Sequence, residues 1–90
     1  MNILATDDTA KAVDVSVSDM SLKVSLDDGR EISVPLDWFP RLRDATPSQR
    51  ANWRLIGTGE GMHWPDVDED ISVAGLLRGR MSGRSKTRAA

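Results

Sequence analysis

Val13-Asp-Val-Ser-Val-Ser-Asp-Met-Ser-Leu-Lys-Val-Ser-Leu-Asp-Asp-Gly-Arg-Glu-Ile-Ser-Val34 alternates apolar and polar residues almost without interruption. A period of two puts every second side chain on the same face of an extended chain, so the segment reads as β-structure with one buried face. Val13, Val15 and Val17 form the first apolar row, Met20, Leu22, Val24 and Leu26 the second, and Ile32 and Val34 the third. A turn near Ser18-Asp19 separates the first two rows. Asp28-Gly29 separates the others, since glycine accepts the positive φ that a tight hairpin turn demands. The expectation is a three-stranded antiparallel meander.

Beyond the meander the period changes. Pro35 cannot donate to a ladder, so the third strand ends there or lies at an edge. Trp38, Phe39 and Leu42 are spaced for one apolar face of a short helix, with Pro40 tolerated in its first turn. Thr46-Pro47-Ser48-Gln49 is the clearest helix start: Thr46 caps, Pro47 fits the first helical position, and Gln49 returns a bond to the cap. That helix is expected from Pro47 to about Leu55. Gly57-Thr-Gly-Glu-Gly61 breaks it and reverses the chain into Met62-His63-Trp64, read as a fourth strand returning to the sheet and stopped by Pro65. Asp66 to Asp70 reads as an acidic loop, after which Ser72 caps a short helix from Val73 to about Arg80 with Val73, Leu76 and Leu77 along its apolar edge. The fold class is therefore α+β, a small antiparallel sheet (a three-stranded meander plus a later strand) with two or three short helices in a single domain. Residues 1–12 are expected to be a weakly ordered lead-in, 13–80 the folded body, and 81–90 a basic disordered tail.

Composition narrows the function classes. The chain has 90 residues and no cysteine, so neither disulfides nor thiolate zinc sites supplement a core of this size. The N-terminus lacks a basic region followed by an apolar stretch, and no apolar run approaches the roughly 20 residues that span a bilayer. A cytoplasmic location and no membrane are the expectation. The net charge of −2 conceals an asymmetry: residues 1–77 carry seven Lys and Arg against fourteen Asp and Glu, whereas residues 78–90 carry Arg78, Arg80, Arg84, Lys86 and Arg88 and no acid. An acidic body of net −7 precedes a basic segment of net +5.

The residues that suggest chemistry each lack the partners that chemistry needs. His63 is the single histidine, and it would need a carboxylate such as Asp66 or Asp68, or a serine, to become catalytic or ligating; no Gly-x-Ser-x-Gly elbow is present. Asp66, Asp68 and Asp70 have the spacing that opens a calcium loop, but Ile71 stands where the turn needs glycine and Leu77 where a bidentate Glu belongs. Gly57, Gly59 and Gly61 follow a helix and carry Glu60 among them, which suits a reversal better than a phosphate cradle. Trp38, Phe39, Trp53 and Trp64 read as core, because an acidic body repels the phosphate backbone that a base-stacking platform would accompany. No catalytic residue, metal site or cofactor is expected.

Read together, Val34-Pro-Leu-Asp-Trp-Phe-Pro-Arg-Leu42, Ala45-Thr46, Gln49-Arg50, Trp53, Gly57-x-Gly59, Met62-His-Trp-Pro65 and Asp68-Glu-Asp-Ile-Ser-Val73 with Leu76-Leu77 make a combination. It resembles the small bacterial domain-of-unknown-function family numbered 2442, from about Val13 to Leu77, with Met62 where that family often has isoleucine. The resemblance implies an α+β domain with no defined catalytic residues. It also implies a protein similar to one half of a toxin and antitoxin pair, partnered by another small protein encoded beside it. The expected function is a non-enzymatic protein-interaction module with a small protein partner; homodimerisation through an edge strand next to Pro35 is also open. Candidate interaction residues are Asp66, Asp68, Glu69, Asp70, Arg78, Arg80, Arg84, Lys86 and Arg88, and candidate structural residues are Trp38, Phe39, Trp53, Gly57, Gly59, His63, Trp64 and Pro65. Two alternatives stand beside this: a nucleic-acid-associated regulator using the basic tail, and a small hydrolase using His63.

Overall fold

The computed structural model describes residues 10–79. Residues 1–9 of the expected lead-in, Arg80, and the expected tail over 81–90 lie outside the described residues. The alternating segment forms strands β1 (Ala12–Val17), β2 (Ser21–Leu26) and β3 (Glu31–Pro35), paired antiparallel in the order β1-β2-β3. Leu22, Val24, Leu26 and Val34 are buried, and Ile32 packs against them. At the Asp28-Gly29 turn the Leu26 amide donates to the Arg30 carbonyl at 2.8 Å and Gly29 takes φ +95°. The Asp28 carboxylate accepts from the Arg30 amide at 3.0 Å and from Arg30 Nε at 2.8 Å, and the amide bond above all holds its pKa below the ordinary value.

Two of the apolar residues expected inside are outside. The register of β1 against β2 shifts between Ala12 and Asp14, a bulge that adds one residue and reverses the side-chain parity before it. Ala12 is therefore buried and Val13 is 55% exposed. Met20 is exposed too, because it sits in the turn, where Ser18 Oγ accepts from the amides of Met20 and Ser21 at 3.1 and 3.0 Å. Ala10 is also buried.

After Pro35 a 3-10 turn (Leu36–Trp38) leads into helix α1 (Pro40–Arg43), with Pro40 in its first turn as the spacing required. Helix α2 (Pro47–Ala51) carries both bonds of its capping box: the Gln49 amide donates to Thr46 Oγ1 at 3.1 Å, and the Thr46 amide donates to Gln49 Oε1 at 2.9 Å. It ends at Ala51, short of Leu55, because residues 54–56 are taken by a strand.

That strand, β4 (Arg54–Ile56), pairs with β5 (Gly61–Trp64), which pairs on its other side with β6 (Glu69–Ser72). The later strand anticipated at Met62–Trp64 thus lies at the centre of a second three-stranded sheet, order β4-β5-β6, and does not return to the first. Both of its edges are satisfied by near sequence neighbours, a cheaper closure than pairing across the fold. Ser72 Oγ then accepts from the Gly75 amide at 2.9 Å and caps helix α3 (Val73–Leu77), which stops short of the expected Arg80.

The two sheets and the helical connection share one core. Ala12, Val15, Leu22, Val24, Leu26 and Val34 from the first sheet meet Leu36, Phe39, Leu42, Met62, Trp64, Ile71, Val73 and Leu76. The β4–β5 turn ties the sheets together: the Ala12 amide donates to the Gly59 carbonyl at 2.8 Å. Gly59 has φ +116°, and a Cβ there would lie 2.6 Å from the Ala12 carbonyl oxygen, so this junction requires glycine.

Candidate functional site on the second sheet

Strand parity divides the second sheet into two unlike faces. Leu55, Met62, Trp64, Glu69 and Ile71 share the inner face, and Arg54, Ile56, Gly61, His63, Asp70 and Ser72 share the outer one. Trp64 is fully buried and its Nε1–H donates to the Arg50 carbonyl at 3.0 Å. Trp53 and Trp38 are half-buried against the core, and the Trp38 ring lies tilted beside Phe39 at 6.4 Å between centroids. All four aromatic rings therefore meet the core without being the platform of stacked faces that base binding would need.

The acidic run 66–70 does not act as one solvated cluster. Pro65 to Asp68 form the turn between β5 and β6. Asp66 accepts from Asn52 Nδ2 at 3.1 Å. Asp68 takes φ +53°, and its carbonyl accepts from the Arg41 guanidinium at 2.6 Å. Glu69 is only 4% exposed on the inner face, which corrects its expected role at an accessible acidic surface: it follows the parity of β6, in register with Trp64. Asp70 alone of the four is on the outer face, hydrogen-bonded to His63 Nδ1. Among the described residues no three His, Asp or Glu side chains converge to hold a metal ion.

His63 sits in a cross-strand row between Arg54 and Asp70, where directly opposite side chains stand about 5 Å apart at Cβ. An imidazole bonded through Nδ1 to a carboxylate is oriented as in a proton relay, with Nε2 as its other nitrogen. Ser72, on the same face one step along, spends its hydroxyl on the α3 cap, so the row orients a histidine without presenting a nucleophile from that serine.

Gly57, at φ +62°, and Gly59 shape the β4–β5 turn. Glu60 closes it by accepting from the Thr58 amide at 2.8 Å and the Thr58 hydroxyl at 3.0 Å. Its own amide, then the Thr58 groups, lower its pKa. Arg78 is exposed at the C-terminal end of α3, and Arg80, Arg84, Lys86 and Arg88 lie outside the described residues. Sequence reasoning passed over Arg50, the most connected side chain in the region. Its guanidinium donates to the carbonyls of Leu42 and Arg43, at 2.9 and 2.7 Å, and to Asp19 at 2.7 Å. The signal was the Gln49-Arg50 pair, where an arginine follows a capping box beside a helix whose last carbonyls need donors.

Residues 12–82 match the family described as "Protein of unknown function (DUF2442)". The chain belongs to that family. The fold recurs in a protein of unknown function from Rhodospirillum rubrum, 26% identical, with 90% of this chain and 98% of that chain covered at a TM-score of 0.73. An uncharacterized protein of Chromobacterium violaceum, solved in solution, is 23% identical over 90% of this chain and 76% of that one, also at a TM-score of 0.73, and shares the fold. No curated protein matches. Among the described residues no helix is long and apolar enough to cross a membrane.

Proposed function

We propose that this member of the family is a cytoplasmic, non-enzymatic interaction module, antitoxin-like in engaging a small protein encoded beside it, with β4 as the docking edge. The observation that supports this is the character of that edge. Natural edge strands are blunted by charge, proline or bulges; β1 has its bulge, β3 ends on Pro35, and β6 carries Asp70. Strand β4 has only Arg54 and leaves Leu55 and Ile56 at 37% and 40% exposure. A strand laid along it would gain main-chain hydrogen bonds and cover both side chains, with the Arg54–His63–Asp70 row alongside to read polar groups.

The test is co-expression with the protein encoded beside it. Wild type should co-purify with that protein, and Ile56→Lys, which places a lysine on the edge, should lose it while keeping its melting temperature. Failure of wild type to form a complex, or full retention by the variant, would defeat the reading. The net +5 of residues 78–90 favours a second reading, a nucleic-acid-associated regulator, for which contacts to about five phosphates would make log K fall against log salt with a slope of about −4.5. The hydrolase reading rests on the His63–Asp70 pair alone, and an activity untouched by His63→Ala would remove it.

A further inference from the structure

Strand β4 carries a cation that the fold leaves unengaged. Arg30 pairs with Asp28, Arg43 with Asp37 and Asp44, and Arg50 with Asp19, while Arg41 spends its guanidinium on the Asp68 carbonyl. Arg54 is exposed, and among the described residues it makes no hydrogen bond or ion pair. The carboxylate in its own row, Asp70, is bonded to His63 Nδ1, and His63 stands between the two.

The main chain of β4 shows how a further strand would meet it. The Ile56 carbonyl accepts from the Gly59 and Glu60 amides at 3.1 and 3.2 Å, so the polar groups of Ile56 are directed into the hairpin towards β5. These groups alternate in direction along a strand, which turns the Leu55 N–H and C=O outward. The sheet is antiparallel throughout, and a strand added in the same sense would exchange both bonds with Leu55. Residues opposite Arg54 and Ile56 would then form non-hydrogen-bonded pairs, the kind in which side chains stand closest. Arg54 and Ile56 share the outer face, whereas Leu55 is on the inner face in register with buried Met62.

We propose that the segment docking on β4 is an extended strand that reads apolar, apolar, acidic in its own chain direction, with its carboxylate on Arg54 and its apolar side chains over Ile56 and Leu55. This rests on the reading of β4 as the docking edge and adds what that edge selects. Opposite charges directly across a strand pair attract and like charges repel. The surrounding body is net −7 over residues 1–77, so a carboxylate is disfavoured over most of it and favoured locally at Arg54. A slip of one residue would carry the acid to the inner face beside Leu55 and lay an apolar side chain over the guanidinium. Arg54 therefore sets the register of docking as well as the charge of the partner.

Two cyclic hairpin peptides test this against the full chain by amide chemical-shift titration. Their free edges read Thr-Val-Val-Glu-Thr and Thr-Val-Val-Lys-Thr, with the N–H and C=O of the second valine directed outward. The glutamate peptide should shift the amides of Arg54, Leu55 and Ile56 and bind about five-fold tighter than the lysine peptide, the increment of one exposed cross-strand pair. That preference should fade near 1 M salt, where the screening length is about 3 Å, and should reverse in Arg54→Glu. Equal affinities at β4, or tighter binding of the lysine peptide as the net charge of the body alone would dictate, would overturn the inference and leave β4 as the docking edge. Shifts confined to β1 or β3, or none at β4 with millimolar peptide, would remove the edge and the inference together.

Discussion

Arg50 has a side chain that is 11% exposed, and replacing it by methionine keeps the aliphatic stem while removing a guanidinium that donates three hydrogen bonds. Bonds from a charged donor are worth about 1.5–3 kcal/mol each, but the three here are unequal. Asp19 is 90% exposed, and a pair with one partner in solvent contributes under about 1 kcal/mol. The Leu42 and Arg43 carbonyls end α1; the Leu42 oxygen keeps a bond from the Ala45 amide at 3.2 Å, and both regain water only in part when the guanidinium leaves. About 2–3 kcal/mol is the expected loss, nearly all from the two carbonyls. With a urea m-value of about 1 kcal/mol/M for a domain this small, the midpoint measured by circular dichroism should fall by about 2–3 M. Asp19→Asn should move it by less than about 0.5 M, and Arg50→Lys, a point charge without the fork, should recover only part of the loss. Equal losses for Asp19→Asn and Arg50→Met would refute the reasoning, placing the energy in the ion pair and not in the helix end.

Further perturbations separate buried from half-buried and strained from free positions. Trp64→Ala should cost about 3–5 kcal/mol by chemical denaturation and Trp53→Ala clearly less, because only Trp64 is fully enclosed; equal costs would contradict the packing described. Gly59→Ala, with its Cβ driven against the Ala12 carbonyl, should destabilise by at least about 2 kcal/mol more than Gly29→Ala, where φ is also positive but nothing lies within 4 Å; equal melting temperatures would show that the junction yields. Asp28, Asp44 and Glu60 have lowered folded pKa values, so their contribution is fully present above the ordinary carboxylate range and is lost as pH falls through the folded values. The melting temperature of Glu60→Gln should accordingly differ from wild type at neutral pH and converge on it in acid, and a constant gap would contradict the linkage.

The elements whose local signals agreed with their surroundings were readable from residues alone. Asp28-Gly29, the Thr46–Gln49 capping box, Pro40 in a first turn and the Ser72 cap each bring chemistry that decides a short stretch by itself. Strand β4 was not readable: three residues are too few to show a period, and helix-compatible Arg54 and Leu55 were carried into the preceding helix. Only the partner strand across Gly57–Glu60 makes them extended, a tertiary decision that propensity does not contain. The bulge at Ala12–Asp14 was hidden for a similar reason, since Val13 continues a perfect alternation and only the contact with Gly59 favours Ala12 inside. Missing β6 had the larger consequence for the site. Reading 66–70 as a loop treated four acids alike, whereas pairing with β5 sends Glu69 into the core and Asp70 to His63.

The claim that β4 is the docking edge is tested most directly by amide hydrogen exchange at Arg54, Leu55 and Ile56, measured in the free chain and in its complex with the protein encoded beside it. A strand added to that edge pairs the main-chain groups of β4 that point away from β5. Exchange of the outward-directed amides should slow by at least about 100-fold on binding, while the outer amides of β1 and β3 keep their free rates. A complex that leaves β4 exchange unchanged and instead protects the edge of the first sheet would contradict the account.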